Sequence, residues 1–137
     1  MTFPRLQNRI NSEMVLDKVT HVTLKTDDLI YDMDPFDHVV IVTNESGEGI
    51  VNLPPVADAA GQLYMIYLDD DSGDSVDIKT QGDEITSESD VGLDGANGET
   101  IDASTGVELA TAGDYALMFS TGVSWHIVAS HGVTETT

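Results

Sequence analysis

The sequence predicts an all-β fold, a single small β-sandwich or barrel behind an extended N-terminal arm, and three observations predict it. Short β-branched and aromatic runs recur along the chain, among them residues 38–43 (HVVIVT), 63–68 (LYMIYL) and 115–120 (YALMFS). Clusters of Gly, Asp, Asn and Pro separate the runs at intervals of about eight to twelve residues, the spacing of sandwiches and barrels. No helical periodicity alternates with the runs, which argues against helices layered on a parallel sheet.

Taken in order, residues 1–18 have mixed polarity, with a weak helical pattern through Ile10 and Met14, and read as an arm. Residues 21–26 (HVTLKT) alternate and are β-branched, so they read as a strand. Residues 27–37 (DDLIYDMDPFD) read as a loop stopped by Pro35. Residues 38–43 are the strongest strand, 50–53 a short one ended by Pro54 and Pro55, and 56–61 a small-residue turn. Residues 63–68 and 75–80 read as strands flanking a tight acidic turn, with Val76 and Ile78 facing inward. Residues 81–98 are rich in Gly and Asp. Short strands are then expected at 99–102, 107–109, 115–120 and 124–128, and a polar tail at 131–137. The β-domain is thus bounded at 19–130, with the arm at 1–18.

Charge narrows the function classes. Twenty-five acidic residues stand against five basic ones, a net charge of −20. A nucleic-acid binder neutralises phosphates with a basic face, and this surface repels phosphate and anionic lipid alike. No run approaches the ~20 apolar residues of a membrane span. The start, MTFPRLQNRINSEMV, shows no apolar stretch of a secretory signal. Neither nucleic acid nor membrane is expected as a partner. The chain has no cysteine, which excludes disulfides and thiolate chemistry. The charge is also uneven. Residues 1–25 carry Arg5, Arg9, Lys18 and Lys25 against Glu13 and Asp17, whereas the rest carries Lys79 alone against all the other acids. A basic arm on an acidic body suggests that the arm docks on a partner, through Phe3, Arg5, Leu6, Arg9, Ile10, Met14 and Lys18, while the body faces solvent; the alternative is that the arm lies on its own acidic body or on a sister subunit's.

Catalytic patterns are absent. Ser124 lacks the G-x-S-x-G context of an activated serine. His21, His38, His126 and His131 share no ligand spacing on one element. Residues 98–106 (GETIDASTG) faintly resemble one motif of trimeric dUTP pyrophosphatases, but they lack its aromatic residue, and no phosphate-binding Arg/Ser motif accompanies them. The acidic turn has two readings. Asp69, Asp71 and Asp74 supply hard oxygens that suit calcium. The same residues also make a solvated hairpin turn, and the D-x-D-x-D-G order of a calcium loop fails, because Gly73 stands fifth and Asp74 sixth. No cofactor other than such a calcium ion is expected, and no enzymatic activity.

Leu53-Pro54, Gly61, Tyr64-Met65-Ile66, Val76-Asp77-Ile78, Thr100-Ile101-Asp102 and Trp125-His126-Ile127-Val128 follow in an order that resembles a β-module of bacteriophage virion proteins. Such modules occur in head decorations, head fibres and tail fibres. The resemblance covers residues 50–128, and it departs from the pattern before Trp125, where Thr121-Gly122-Val123-Ser124 replaces an Asp/Asn-Gly turn. It implies a homotrimer on the capsid surface of a virion, made in the host cytoplasm. It also implies a capsid decoration (cement) protein that binds the major capsid protein on the outside of a phage head and stabilises it. A fibre or receptor-binding module that recognises a host glycan or protein is the alternative. The chain is short and has no repetitive shaft, which favours decoration.

Overall fold

The computed structural model describes residues 19–80, 93–94, 100–101 and 107–135. These form strands β1 (Val19–Leu24), β2 (Ile30–Asp32), β3 (Val39–Asn44), β4 (Gly49–Asn52), β5 (Leu63–Asp70), β6 (Val76–Lys79), β7 (Leu93–Asp94), β8 (Thr100–Ile101), β9 (Val107–Leu109), β10 (Tyr115–Ser120), β11 (Trp125–His131) and β12 (Thr134–Glu135). The described residues contain no helix. The all-β expectation holds. The strands make two mixed sheets rather than a closed barrel, one of seven strands in the order β1-β3-β5-β10-β11-β7-β8 and one of five in the order β12-β9-β6-β4-β2.

The first half of the chain is wound as a coil. Successive strands alternate between the sheets: β1, β3 and β5 run parallel in the larger sheet, and β2, β4 and β6 run parallel in the smaller. Val19 lies beside Val39 and Ile30 beside Ile50, the same step (39 − 19 and 50 − 30) in both sheets. The next step is lengthened by the loop between β4 and β5, which carries Pro54 and Pro55. After β6 the pairing turns antiparallel, with β9 added to β6 and β10 to β5.

This winding corrects the hairpin reading of the acidic turn. Residues 71–75 join β5 in one sheet to β6 in the other, and 45–48 likewise join β3 to β4. A crossover turn and a hairpin turn draw on the same Gly, Asp and Ser residues, so composition does not separate them. The two crossovers lie on each other. Gly73 N donates to Asn44 O at 2.8 Å, Asp74 N to Gly47 O at 2.9 Å, and Gly49 N to Ser75 O at 3.0 Å. A Cβ on Gly73 would stand 2.8 Å from Ser46 N, so only glycine permits this stacking.

Strand alternation builds the core. Val22, Leu24, Val40, Val42, Tyr64, Ile66, Leu68, Ala116, Met118 and Trp125 from the larger sheet meet Val51, Val76, Ile78, Val107 and Leu109 from the smaller one. Trp125 and Tyr64 are wholly buried, and their rings meet edge-on with centroids 5.6 Å apart.

Two details differ from the sequence reading, and the turn expected after Pro55 is present. The stretch expected to be a loop holds β2, whose residues Ile30, Tyr31 and Asp32 pair with β4. The polar tail expected from residue 131 joins the sheets: His131 ends β11, and Thr134 and Glu135 pair with β9. Residues 56–59 make a hydrogen-bonded turn, with Ala59 N donating to Pro55 O at 3.1 Å.

Candidate functional site

The seven-stranded sheet has a second face, turned away from the core, and across the middle of β1, β3, β5, β10 and β11 it carries a patch of apolar, aromatic or neutral side chains, bounded by exposed Asp69 near the end of β5 and by Asp94 of β7, the register partner of His126. The registers line them up in rows across β1, β3, β5, β10 and β11. One row is Val19–Val39–Met65–Leu117–Ala129, and the next is His21–Ile41–Tyr67–Tyr115–His131. A third, over the last three of those strands, is Leu63–Phe119–His126. None of these residues is acidic, in a chain with 25 carboxylates. Phe119 stacks on His126 and Tyr115 on His131, with ring centroids 5.4 and 6.2 Å apart. Leu63 and Val128 are more than half exposed. The register shift between Leu117 and Met118 bulges β11 at Val128 and turns that side chain outward.

Both ends of the sheet carry carboxylates, Asp34, Asp37 and Asp58 at one and a larger group at the other. β1, β3 and β5 all start at one end, where Phe36 (67% exposed), Leu63 (54%) and Val123 (64%) stand out from the surface. The Phe36 loop is well braced. Asp37 accepts from Thr20 Oγ1 at 2.9 Å and from Tyr31 OH at 2.5 Å, and Tyr64 OH donates to Pro35 O at 2.7 Å. At the other end the turns carry Asp27, Asp28, Glu45, Glu48, Asp69, Asp70, Asp71, Asp74 and Asp114.

In that acidic turn Asp69, Asp71 and Asp74 do not come together as ligands. Asp71 Oδ2 accepts from Ala112 N at 2.9 Å, tying the turn to the β9–β10 connection. Asp70 Oδ1 accepts from both the N–H and the hydroxyl of Ser72, and these bonds hold its carboxyl below the usual range.

Among the described residues, the three carboxylates that do converge are Glu48, Asp77 and Glu108, one oxygen of each lying within 4.8 Å of the other two. Asp77 stands on the outward side of β6, opposite Glu108 on β9, while Glu48 precedes β4. Sequence reasoning placed Val76 and Ile78 inward and thereby left Asp77 on the other face. It missed the cluster because β6 and β9 are far apart in sequence, and nothing local announces that they pair.

The arm residues Phe3, Arg5, Leu6, Arg9, Ile10, Met14 and Lys18 lie outside the described residues, as do most of residues 98–106. The arm enters the fold at Val19, which is 40% exposed at the start of edge strand β1 and heads the first apolar row.

Fold and site together define a two-sheet β-protein with an acid-free patch on one sheet face and an acidic end. Comparison with protein families, with curated proteins and with solved structures finds no match to this chain.

Proposed function

We propose that this chain is a structural protein of a virion surface, a capsid decoration protein that docks on the outside of a phage head and stabilises it. The observation that carries the reading is the segregation of charge: three rows of neutral side chains on one sheet face of a molecule with net charge −20. Carboxylates desolvated in an interface without partners cost several kcal/mol each, so a face that excludes them suits burial against another protein. The acidic end, on the far side from the arm's point of entry, faces solvent and keeps particles apart.

Size supports a joint role for the arm. With strands ~4.8 Å apart and outward rows ~6.6 Å apart, the face spans roughly 250 Å² between its outermost Cα positions. A stable interface covers about 800 Å² per partner. The 18-residue arm supplies the remainder, and its Arg5, Arg9 and Lys18 favour an acidic partner surface. The partner in this reading is the major capsid protein, and the docked form is the homotrimer that the virion resemblance implies.

The test is co-sedimentation of the purified chain with phage heads stripped of it, comparing the native protein with Leu117→Glu and Tyr67→Glu. Both side chains are outward and half-buried, so each variant should keep its thermal melt while binding at least about tenfold less, the ~1.4 kcal/mol expected for a carboxylate in a desolvated patch. Native binding by both variants refutes the face as the interface. Attachment to host cells in place of heads refutes decoration.

A further inference from the structure

The outer face of the smaller sheet carries a feature that docking by the larger one does not use. A row of paired residues, Ile30–Ile50–Asp77–Glu108–Thr134, crosses all five strands. At its centre Asp77 is only 5% exposed, and its Oδ1 is fully buried without a hydrogen-bond partner. One oxygen of Asp77, one of Glu48 and one of Glu108 lie within 4.8 Å of one another. A buried carboxylate oxygen with nothing to accept from, next to two further carboxylates, is costly unless a positive charge joins it. Lys79, two residues along on the same side of β6, offsets part of that charge. Burial, then a side-chain hydrogen bond with Glu48 and the charge of Glu48, and last the charge of Glu108 push the Asp77 carboxyl up to about 6.

The geometry points to a divalent cation of calcium's size held by Glu48, Asp77 and Glu108 on the outer face of the five-stranded sheet. Calcium–oxygen bonds are ~2.3–2.6 Å long, so oxygens on opposite sides of one ion lie up to about 5 Å apart, and the observed spacing falls within that span. The donors are all hard oxygens, with no nitrogen or sulfur in the group, which suits calcium and disfavours zinc or copper. Ser75 Oγ donates to Glu108 Oε2 at 3.0 Å and fixes that carboxylate's orientation, as partners of metal ligands commonly do. The strand pairing of Asp77 with Glu108 gives two ligands a rigid base, and exposed Glu48 closes from the crossover side. The ion would join the β3–β4 crossover to β6 and β9 and quench repulsion at the acidic end.

The test uses the full-length chain in metal-free buffer at pH 7.5 and moderate salt, titrated with calcium chloride and followed by calorimetry and by thermal melting. One ion per chain should bind, and the melting temperature should rise beyond what sodium chloride of equal ionic strength produces. Glu48→Gln changes an exposed side chain and should leave the fold intact while weakening calcium at least about tenfold. Asp77→Asn and Glu108→Gln should abolish the calcium-specific rise. The double variant Asp69→Asn/Asp71→Asn removes as much charge from the acidic turn and should keep the native calcium response. A rise matched by sodium chloride, a response surviving in Glu48→Gln and Asp77→Asn alike, a response lost in the acidic-turn variant, or tighter binding of magnesium than of calcium each overturns the assignment.

Discussion

Asp77 and Glu108 face each other directly across the antiparallel pair β6–β9, two carboxylates where a sheet ordinarily places opposite charges or apolar partners. Like charges in that position destabilise the pairing, and burial of Asp77 adds to the cost. In protein stripped of divalent ions at pH 7.5, Asp77→Asn should therefore raise stability, by about 1 kcal/mol on the scale of cross-strand pairs. Urea denaturation followed by the fluorescence of Trp125, the sole tryptophan, measures it. A loss of stability would mean that the Asp77 carboxylate already has a compensating partner.

Asn44 should be among the most sensitive polar positions. It is wholly buried at the end of β3, and its Nδ2 donates to Gly47 O at 2.9 Å and to Asp74 O at 2.7 Å, one carbonyl in each crossover. Asn44→Ala leaves both carbonyls without that donor and opens a small void. A cost of about 2–3 kcal/mol is expected in denaturant melts, since an orphaned buried polar group costs about 1–3 kcal/mol. Asn44→Asp should cost at least as much, because a carboxylate would face two carbonyl oxygens.

The Tyr64–Trp125 contact separates packing from hydrogen bonding. Trp125 Nε1 is buried and has no acceptor. Trp125→Phe keeps an aromatic ring against Tyr64 and removes that orphan donor, so it should cost far less than Trp125→Ala, for which about 3–5 kcal/mol is expected. Equal losses, read by circular dichroism melts, would mean that the indole's full volume sets the stability.

Alkaline pH should unfold the protein earlier than its carboxylates alone suggest. Burial, then the charges of Asp34 and Asp37, push the Tyr64 hydroxyl up to about 12; burial, then the hydrogen bond to Asp37, raises that of Tyr31 further. The folded chain holds these protons after the unfolded chain has released them at about 10. Stability from these groups is thus intact below pH 10 and falls as pH rises from 10 toward 12. Tyr64→Phe should flatten the part of the fall that it causes. The check is a denaturation series from pH 8 to 12, with tyrosinate absorbance recorded alongside.

Much of the fold was legible because single strands announce themselves locally. Residues 38–43, 63–68 and 115–120 read as strands and are strands, and the alternation of 75–80 places Val76 and Ile78 inward, as the structure has them. What stayed illegible is pairing. No local signal shows that β1, β3 and β5 run parallel while β2, β4 and β6 form the opposite sheet, since turns such as 44–49 serve a crossover as readily as a hairpin. β2 escaped because Ile30 and Tyr31 are flanked by acids and followed by a proline, as in a loop. Both candidate sites depend on pairing, which explains why neither was seen. The acid-free face exists only once five strands are laid in order, and the carboxylate cluster only once β6 meets β9.

The final prediction concerns the arm. The described core runs from Val22 to Trp125 and closes between the two sheets with residues that all follow the arm. A chain beginning at Lys18 should therefore melt cooperatively, with Trp125 emission as blue-shifted as in the full chain. Docking should not survive the truncation. The truncation removes Arg5 and Arg9 together with the apolar anchors Phe3, Leu6, Ile10 and Met14. Val19 stands at the edge of the acid-free patch, and the proposed docking puts the arm and the patch on one partner surface. Loss of the arm's cationic contacts should also reduce the salt dependence of whatever binding remains, because the neutral face contributes little that salt can screen. Co-sedimentation with stripped heads at low and high salt reads both effects. A truncated chain that binds as the full chain does, with the same salt dependence, removes the arm from the interface and leaves the sheet face alone; a truncated chain that unfolds makes the arm part of the fold.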